Sequence, residues 1–264
     1  MAEGFGEDLR DYLERLRPQA APSRERQLIY EKSWCLDYAE QGDETVIKAI
    51  TNEAQRYQRY FPQCQFSVMI YLDQSVGRSQ LNDLLTSVQL QTWQNYEVLV
   101  AVGRDCKQDV IDELGRLKQD YHRIRSLEGS CAHPREAWRH FVKEAKGDYF
   151  VYCHPTLILH PQTLSLLFRE VLEASDVAVL TTHHIVAAEK KDQPRNYWSK
   201  PPMCWSMLRE GNYLGPFAAF KREAVAPLDI EQVADRGAQD LLHGLLLELS
   251  SKGAKAAHIP LFCY

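Results

Sequence analysis

Between Phe66 and Val186 short apolar runs alternate with amphipathic segments of helical length, and this alternation leaves few folds open. "FSVMIYL" (66–72) and "YEVLVAV" (96–102) are near-continuous apolar runs of strand length, the pattern of strands covered on both faces. "DYFVYC" (148–153) and "DVAVLTTHHIV" (176–186) read as two more strands. Residues 79–93 place Leu81, Leu84, Leu85 and Val88 on one helical face, and 107–121, 135–147 and 161–174 read as further helices. Gly147 is expected to close the third helix, and Pro161 to open the fourth, where its missing N–H has no partner to lose. Strands alternating with such helices predict βαβ units, right-handed crossovers and a mixed, mainly parallel α/β sheet. Ligands of such sheets bind beyond the carboxyl ends of the strands, so chemistry is expected at 72–75, 102–105 and 153–156.

Residues 1–62 carry no strand signal and read as a helical N-terminal segment, followed by the α/β domain over 63–264. Leu9, Tyr12, Leu13 and Leu16 share one stripe; Val46, Ile47, Ile50, Ala54, Tyr57 and Phe61 share another, ended by Pro62. A stripe of this kind must be buried, against the domain, a partner or a second copy. The net charge of -5, from 31 basic and 36 acidic residues, argues against a nucleic-acid surface, which needs clustered cations. The short basic groups at Arg123–Arg125 and Lys190–Lys191 read as solvated helix or loop faces. No apolar run is long enough to predict a membrane-spanning helix, and the acidic start lacks the form of a secretion signal. Seven cysteines without a CxxC pair suggest neither a zinc framework nor a disulfide ladder, so reduced thiols and a cytoplasmic location are expected.

The order of segments resembles that of bacterial family-2 glycosyltransferases of the GT-A fold. The resemblance rests on "SVQLQTWQNYEVLVAV", on "AKGDYFVYCHPTLILHPQTL", on "YWSKPPMCWSMLREGNYLGPFAAFKREAV" and on "GAQDLLHGLLLEL" with the closing "HIPLFCY". The upstream "YEKSWCLDY" adds a weaker echo, and the match spans roughly residues 28–264. It implies a nucleotide-diphospho-sugar transferase domain that moves a sugar to a glycan hydroxyl with inversion, in polysaccharide biosynthesis.

In that family a D-x-D motif holds Mg²⁺ or Mn²⁺ against the donor diphosphate, because carboxylates and a divalent ion offset the charge that builds on the leaving group. Its positions fall here on His154 and Thr156, with Pro155 between them, and none is a carboxylate. A hard cation prefers several anionic oxygens, so a metal is expected only if other groups compensate. The family's second carboxylate pair, implied to hold the nucleoside, falls on Val102 and Gly103, with Asp105 two residues on as a partial substitute; Asp73 at the first strand exit is a candidate partner for the nucleotide base, and Asp240 stands at the position of the family's general base. Asp240 is expected to begin a helix, so a plain N-cap role is the competing assignment; the family's next aspartate and arginine fall on Leu242 and Leu246. Arg104, Lys107, Arg135, Arg139 and Lys200 are candidate fixed cations for the diphosphate. Trp198, Trp205, Asn212 and Tyr213 match the family's acceptor side and suit sugar stacking; with Pro194, Pro201 and Pro202 among them, the stretch is read as a loop. Two functions stay open: a transferase with altered donor binding, and an inactive pseudo-glycosyltransferase serving as a carbohydrate- or protein-binding module.

A metal cluster from Cys153, His154, His160, His183 and His184 is disfavoured, because neighbours on a strand point to opposite faces. A Cys153–His154 nucleophilic pair fails for the same reason, and Cys153 and Cys263 read as small core residues.

Overall fold

A computed structural model describes residues 56, 65–174, 176–186, 196–234 and 240–264. The helical segment expected over 1–62 lies, but for Arg56, outside them. Eight strands run in chain order: β1 Phe66–Leu72, β2 Tyr96–Gly103, β3 Ile124–Cys131, β4 Tyr149–Cys153, β5 Val179–Val186, β6 Asn196–Trp198, β7 Phe217–Lys221 and β8 Ala256–Phe262. The described helices are α1 Arg78–Gln89, α2 Gln108–Asp120, α3 Pro134–Glu144, α4 Thr163–Glu173, α5 Trp205–Glu210, α6 Arg222–Val225, α7 Ile230–Ala234 and α8 Leu241–Ser251. None is long and apolar enough to cross a membrane.

The strands form one sheet in the order β3-β2-β1-β4-β7-β5-β6, with β8 paired to β5. β1 runs parallel to β2 and β4, β2 to β3, and β5 to β8; β7 is antiparallel to β4 and β5, and β6 to β5. This is the mixed, mainly parallel sheet that the alternation predicts. β1 is buried at every position because helices cover both of its faces, which explains its unbroken apolar run. Trp93, fully buried, stacks on Phe168 of α4 with ring centroids 4.0 Å apart. Burying a ring of this size stabilises the fold by roughly 2–3 kcal/mol.

Three expectations need correction. The segment around Arg123–Arg125 is no helix or solvated loop, because Ile124–Cys131 forms edge strand β3. Only its ends and Leu127 are buried, so no apolar run announces it. Gly147 does not close α3, which stops at Glu144. A Cβ on Gly147 would lie 2.6 Å from Ser67 N and 2.7 Å from Gln65 O, so glycine there allows the chain to pass against the start of β1. The aromatic stretch read as a loop contains β6 and the short helix α5, with Pro201 and Pro202 between them.

Candidate functional site at the carboxyl rim

The register sets the site. Met69 pairs with Tyr152 and Ile70 with Cys153, while Leu72 pairs with Val102, so β1, β2 and β4 leave the sheet side by side. Their exits carry Asp73, Asp105 and the His154–Thr156 turn.

Asp73 folds its exit into a tight turn: Oδ1 accepts from Ser75 N–H at 2.8 Å and from the Ser75 hydroxyl at 2.5 Å. Asp105 is exposed beside Gly103. A Cβ on Gly103 would lie 2.7 Å from the Tyr71 hydroxyl, 2.8 Å from Asp105 Oδ1 and 2.9 Å from Leu72 O, so bare backbone lets those groups meet. Burial, and then the negative charges of Asp105 and Asp73, push the Tyr71 phenol up to about 12.

His154 and Thr156 close on one another. His154 Nδ1 lies 2.8 Å from Thr156 Oγ1, and Thr156 N–H approaches the same nitrogen at 3.4 Å. Burial lowers the pKa of His154, and Asp73 and Asp240 pull it partly back. Tyr152, two residues earlier on the same face, is pushed upward by burial first and then by Asp240, Cys153, Asp73 and Tyr71. Both side chains thus feel Asp73 and Asp240 together. Asp240 caps α8, with Oδ1 accepting from His243 N–H at 2.7 Å, and it stays exposed. The capping assignment therefore holds, and one carboxylate oxygen is engaged by it.

His243 ties this helix to the aromatic side through a 2.6 Å contact between Nε2 and Leu208 O of α5. The four acceptor-side candidates then divide. Trp198 and Trp205 are 55% and 37% exposed and can offer ring faces to a sugar. Tyr213 is a strut: its hydroxyl donates to Pro202 O at 2.8 Å and accepts from Cys204 N–H at 2.7 Å. Asn212 braces its own turn through Nδ2 to Gly215 O at 3.1 Å. The sequence reading passed over Tyr152; its signal is the strand period, which places it on the face of His154.

The residues at the D-x-D position do not fit a hard divalent ion. Among the described residues no three His, Cys, Asp or Glu side chains are grouped to hold one. The Nδ1 of His154 is taken up by Thr156, and Asp73 and Asp240 each commit an oxygen to backbone N–H groups. His183 turns to His258, 3.0 Å away, while His184 lies between the rings of Trp198 and Tyr264. Cys153 and Cys263 are buried in the core. A cavity of about 460 Å³ opens at the other rim, against Leu85, Val88, Tyr96, Val98, Arg123 and Ile124, and takes in none of the candidates.

The family model for glycosyl transferase family 2 matches residues 69–228, more than half of the chain. The chain belongs to glycosyl transferase family 2. Solved structures agree at the level of the fold. One is S. aureus TarS 1-349, with a TM-score of 0.54, 14% identity, and 76% of this chain and 59% of that one covered. Another is the mannosyltransferase PcManGT from Pyrobaculum calidifontis in complex with GDP-Man and Mn²⁺, with a TM-score of 0.54, 14% identity, and 83% and 66% covered. A third is glucosyl-3-phosphoglycerate synthase from Mycobacterium tuberculosis with Mn²⁺, UDP and phosphoglyceric acid, with a TM-score of 0.54, 15% identity, and 81% and 73% covered. The chain thus spans under two thirds of the TarS chain it resembles. No curated protein sequence matches it.

Proposed function

We propose that this family-2 domain transfers a sugar from a nucleotide-sugar to a glycan hydroxyl without a metal ion at the D-x-D position. The observation that carries this reading is the family-2 match over a sheet whose β1, β2 and β4 leave side by side, with Asp73, Asp105 and His154 at their exits and Asp240 capping α8. In this reading Asp240 is the base and Asp73 and Asp105 are the donor-side groups, with no carboxylate at 154 or 156. Asp240, with one oxygen fixed by the cap, takes the acceptor hydroxyl proton on the other. The acceptor oxygen bonds to the anomeric carbon as the carbon–oxygen bond to the diphosphate breaks, so configuration inverts and a nucleoside diphosphate leaves. Asp73 and Asp105 face the nucleoside, and Trp198 and Trp205 stack on the acceptor.

The test is calorimetric titration with UDP, GDP, dTDP, CMP, UDP-GlcNAc and GDP-mannose, in EDTA and in Mn²⁺, followed by a transfer assay. One nucleotide-sugar should bind equally well in both buffers. Asp240→Asn should keep that binding, because Asn also caps helices, while turnover falls by about 100-fold or more. Binding that demands Mn²⁺ would sink the metal-free mechanism. No binding of any nucleotide would favour the second reading, a catalytically silent binding module, which the self-closed His154–Thr156 turn favours.

A further inference from the structure

The cavity of about 460 Å³ lies at the amino rim of the sheet, opposite the exits that carry Asp73, Asp105 and His154. Leu85 and Val88 reach it from α1, Tyr96 and Val98 from the start of β2, and Ile124 from the start of β3. Arg123 stands at its edge, 4.9 Å over the Tyr96 ring. The lining is mostly apolar, and a concave apolar surface of this size marks a place where something packs.

The chain enters the sheet beside this groove. Phe66 N–H donates to Asn95 O at 3.2 Å, and Phe66 pairs with Tyr96. Neighbouring strands lie about 4.8 Å apart, so whatever precedes Gln65 leaves from the groove's edge. The apolar stripe Ile50, Ala54, Tyr57 and Phe61 ends four residues before Gln65. Four extended residues span at most about 14 Å, which fixes how far Phe61 can stray. Of residues 48–61 the structure describes Arg56, which is helical and exposed. At about 3.6 residues per turn, Arg56 stands on the side of a helix away from that stripe. Its exposure leaves the stripe as the side to be buried.

We propose that residues 48–61 dock in this groove as an amphipathic helix of the same chain, with Tyr57 and Phe61 as its anchors. The tether selects the occupant. A linker this short holds the segment at an effective concentration in the millimolar range, far above that of a free second copy. The docking also bears on the candidate site. Between Leu85 and Val88, the Ser87 hydroxyl of α1 accepts from Leu159 N–H at 3.0 Å, just beyond the His154–Thr156 turn. A helix seated on Leu85 and Val88 therefore braces the support of that turn from behind. None of this depends on sugar transfer.

The experiment uses the full chain with p-benzoylphenylalanine in place of Tyr57, prepared in heavy- and light-nitrogen forms, mixed in equal amounts, irradiated and digested. Adducts should join residue 57 to peptides from 85–98 or 120–124, with one isotope in each pair. Adducts of mixed isotope would give the groove to a second copy and overturn the proposal; so would adducts confined to other surfaces, or none. Stability supplies a second measurement. Phe61→Ser should lower the urea midpoint by about 1 M, while Arg56→Ser leaves it unchanged. Should Phe61→Ser fail to fold, Phe61→Leu is measured in its place, with a smaller fall expected. A midpoint equal to that of native protein overturns the docking. In the folded variant, hydrogen exchange should quicken in α1 and at Leu159 more than in β7; a uniform rise overturns the bracing of the turn.

Discussion

Glu97 of β2 and Lys200, just beyond β6, are both buried, and they are treated in opposite ways. Near the start of β1 and β2, Glu97 accepts from the Ser67 hydroxyl at 2.7 Å, from Lys146 N–H at 2.6 Å and from Arg125 at 2.7 Å. The Ser67 hydroxyl in turn accepts from Gly147 N–H at 2.9 Å. Burial pushes the Glu97 carboxyl up, but these bonds outweigh it and leave the group below its ordinary value. At the other end of the sheet Lys200 has hydroxyl and carbonyl partners but, among the described residues, no opposite charge. The difference separates a charge that completes the fold from one that lacks a complement. The first is a strut between two charges; the second is held by neutral partners.

The sharpest way to break this contrast is to remove each charge and compare stabilities. Glu97→Ala strands the Lys146 N–H and the Arg125 guanidinium, and should cost about 3 kcal/mol in urea denaturation. Lys200→Met removes an uncompensated ammonium at similar volume, and should be neutral or stabilising by about 1 kcal/mol at neutral pH. A loss as large as that of Glu97→Ala would show Lys200 to be a strut after all.

A subtler effect is expected in the pH dependence. Lys200 sits near 7 when folded against an ordinary 10.5, so the unfolded chain binds more protons between those values, and stability rises as pH climbs from 7 toward 10.5. Chemical denaturation of native protein should show this slope, and Lys200→Met should flatten it. His183, His184 and His258 act the same way lower down: stability present above 6.5 should fall as pH drops toward 4.

The parallel half of the sheet was legible in the sequence because burial on both faces writes itself as unbroken apolar runs, as in β1 and β2. β3 was not, because an edge strand with exposed Glu128, Gly129 and Ser130 reads like a loop. The rim positions Asp73, Asp105, His154, Thr156 and Asp240 followed from the strand exits and the family's spacing. Lys200 could be singled out as a spare cation, but not its setting. That setting depends on Tyr264, 64 residues away, and on His184 and Gly215, which only the folded sheet brings together. Gly147 was misread because its reason for being glycine is Ser67, 80 residues earlier, and no local pattern records such proximity.

The amide of Gln91 donates to Ser87 O and His160 O and accepts from Leu164 N–H, and Thr92 N–H donates to Pro161 O. These bonds rivet the segment beyond His154 to the end of α1, while β4 holds it from the front. The turn is thus a socket with fixed walls and an exchangeable lining. Evolution, or a designer placing carboxylates at 154 and 156, can alter what plugs into it without asking the scaffold to move.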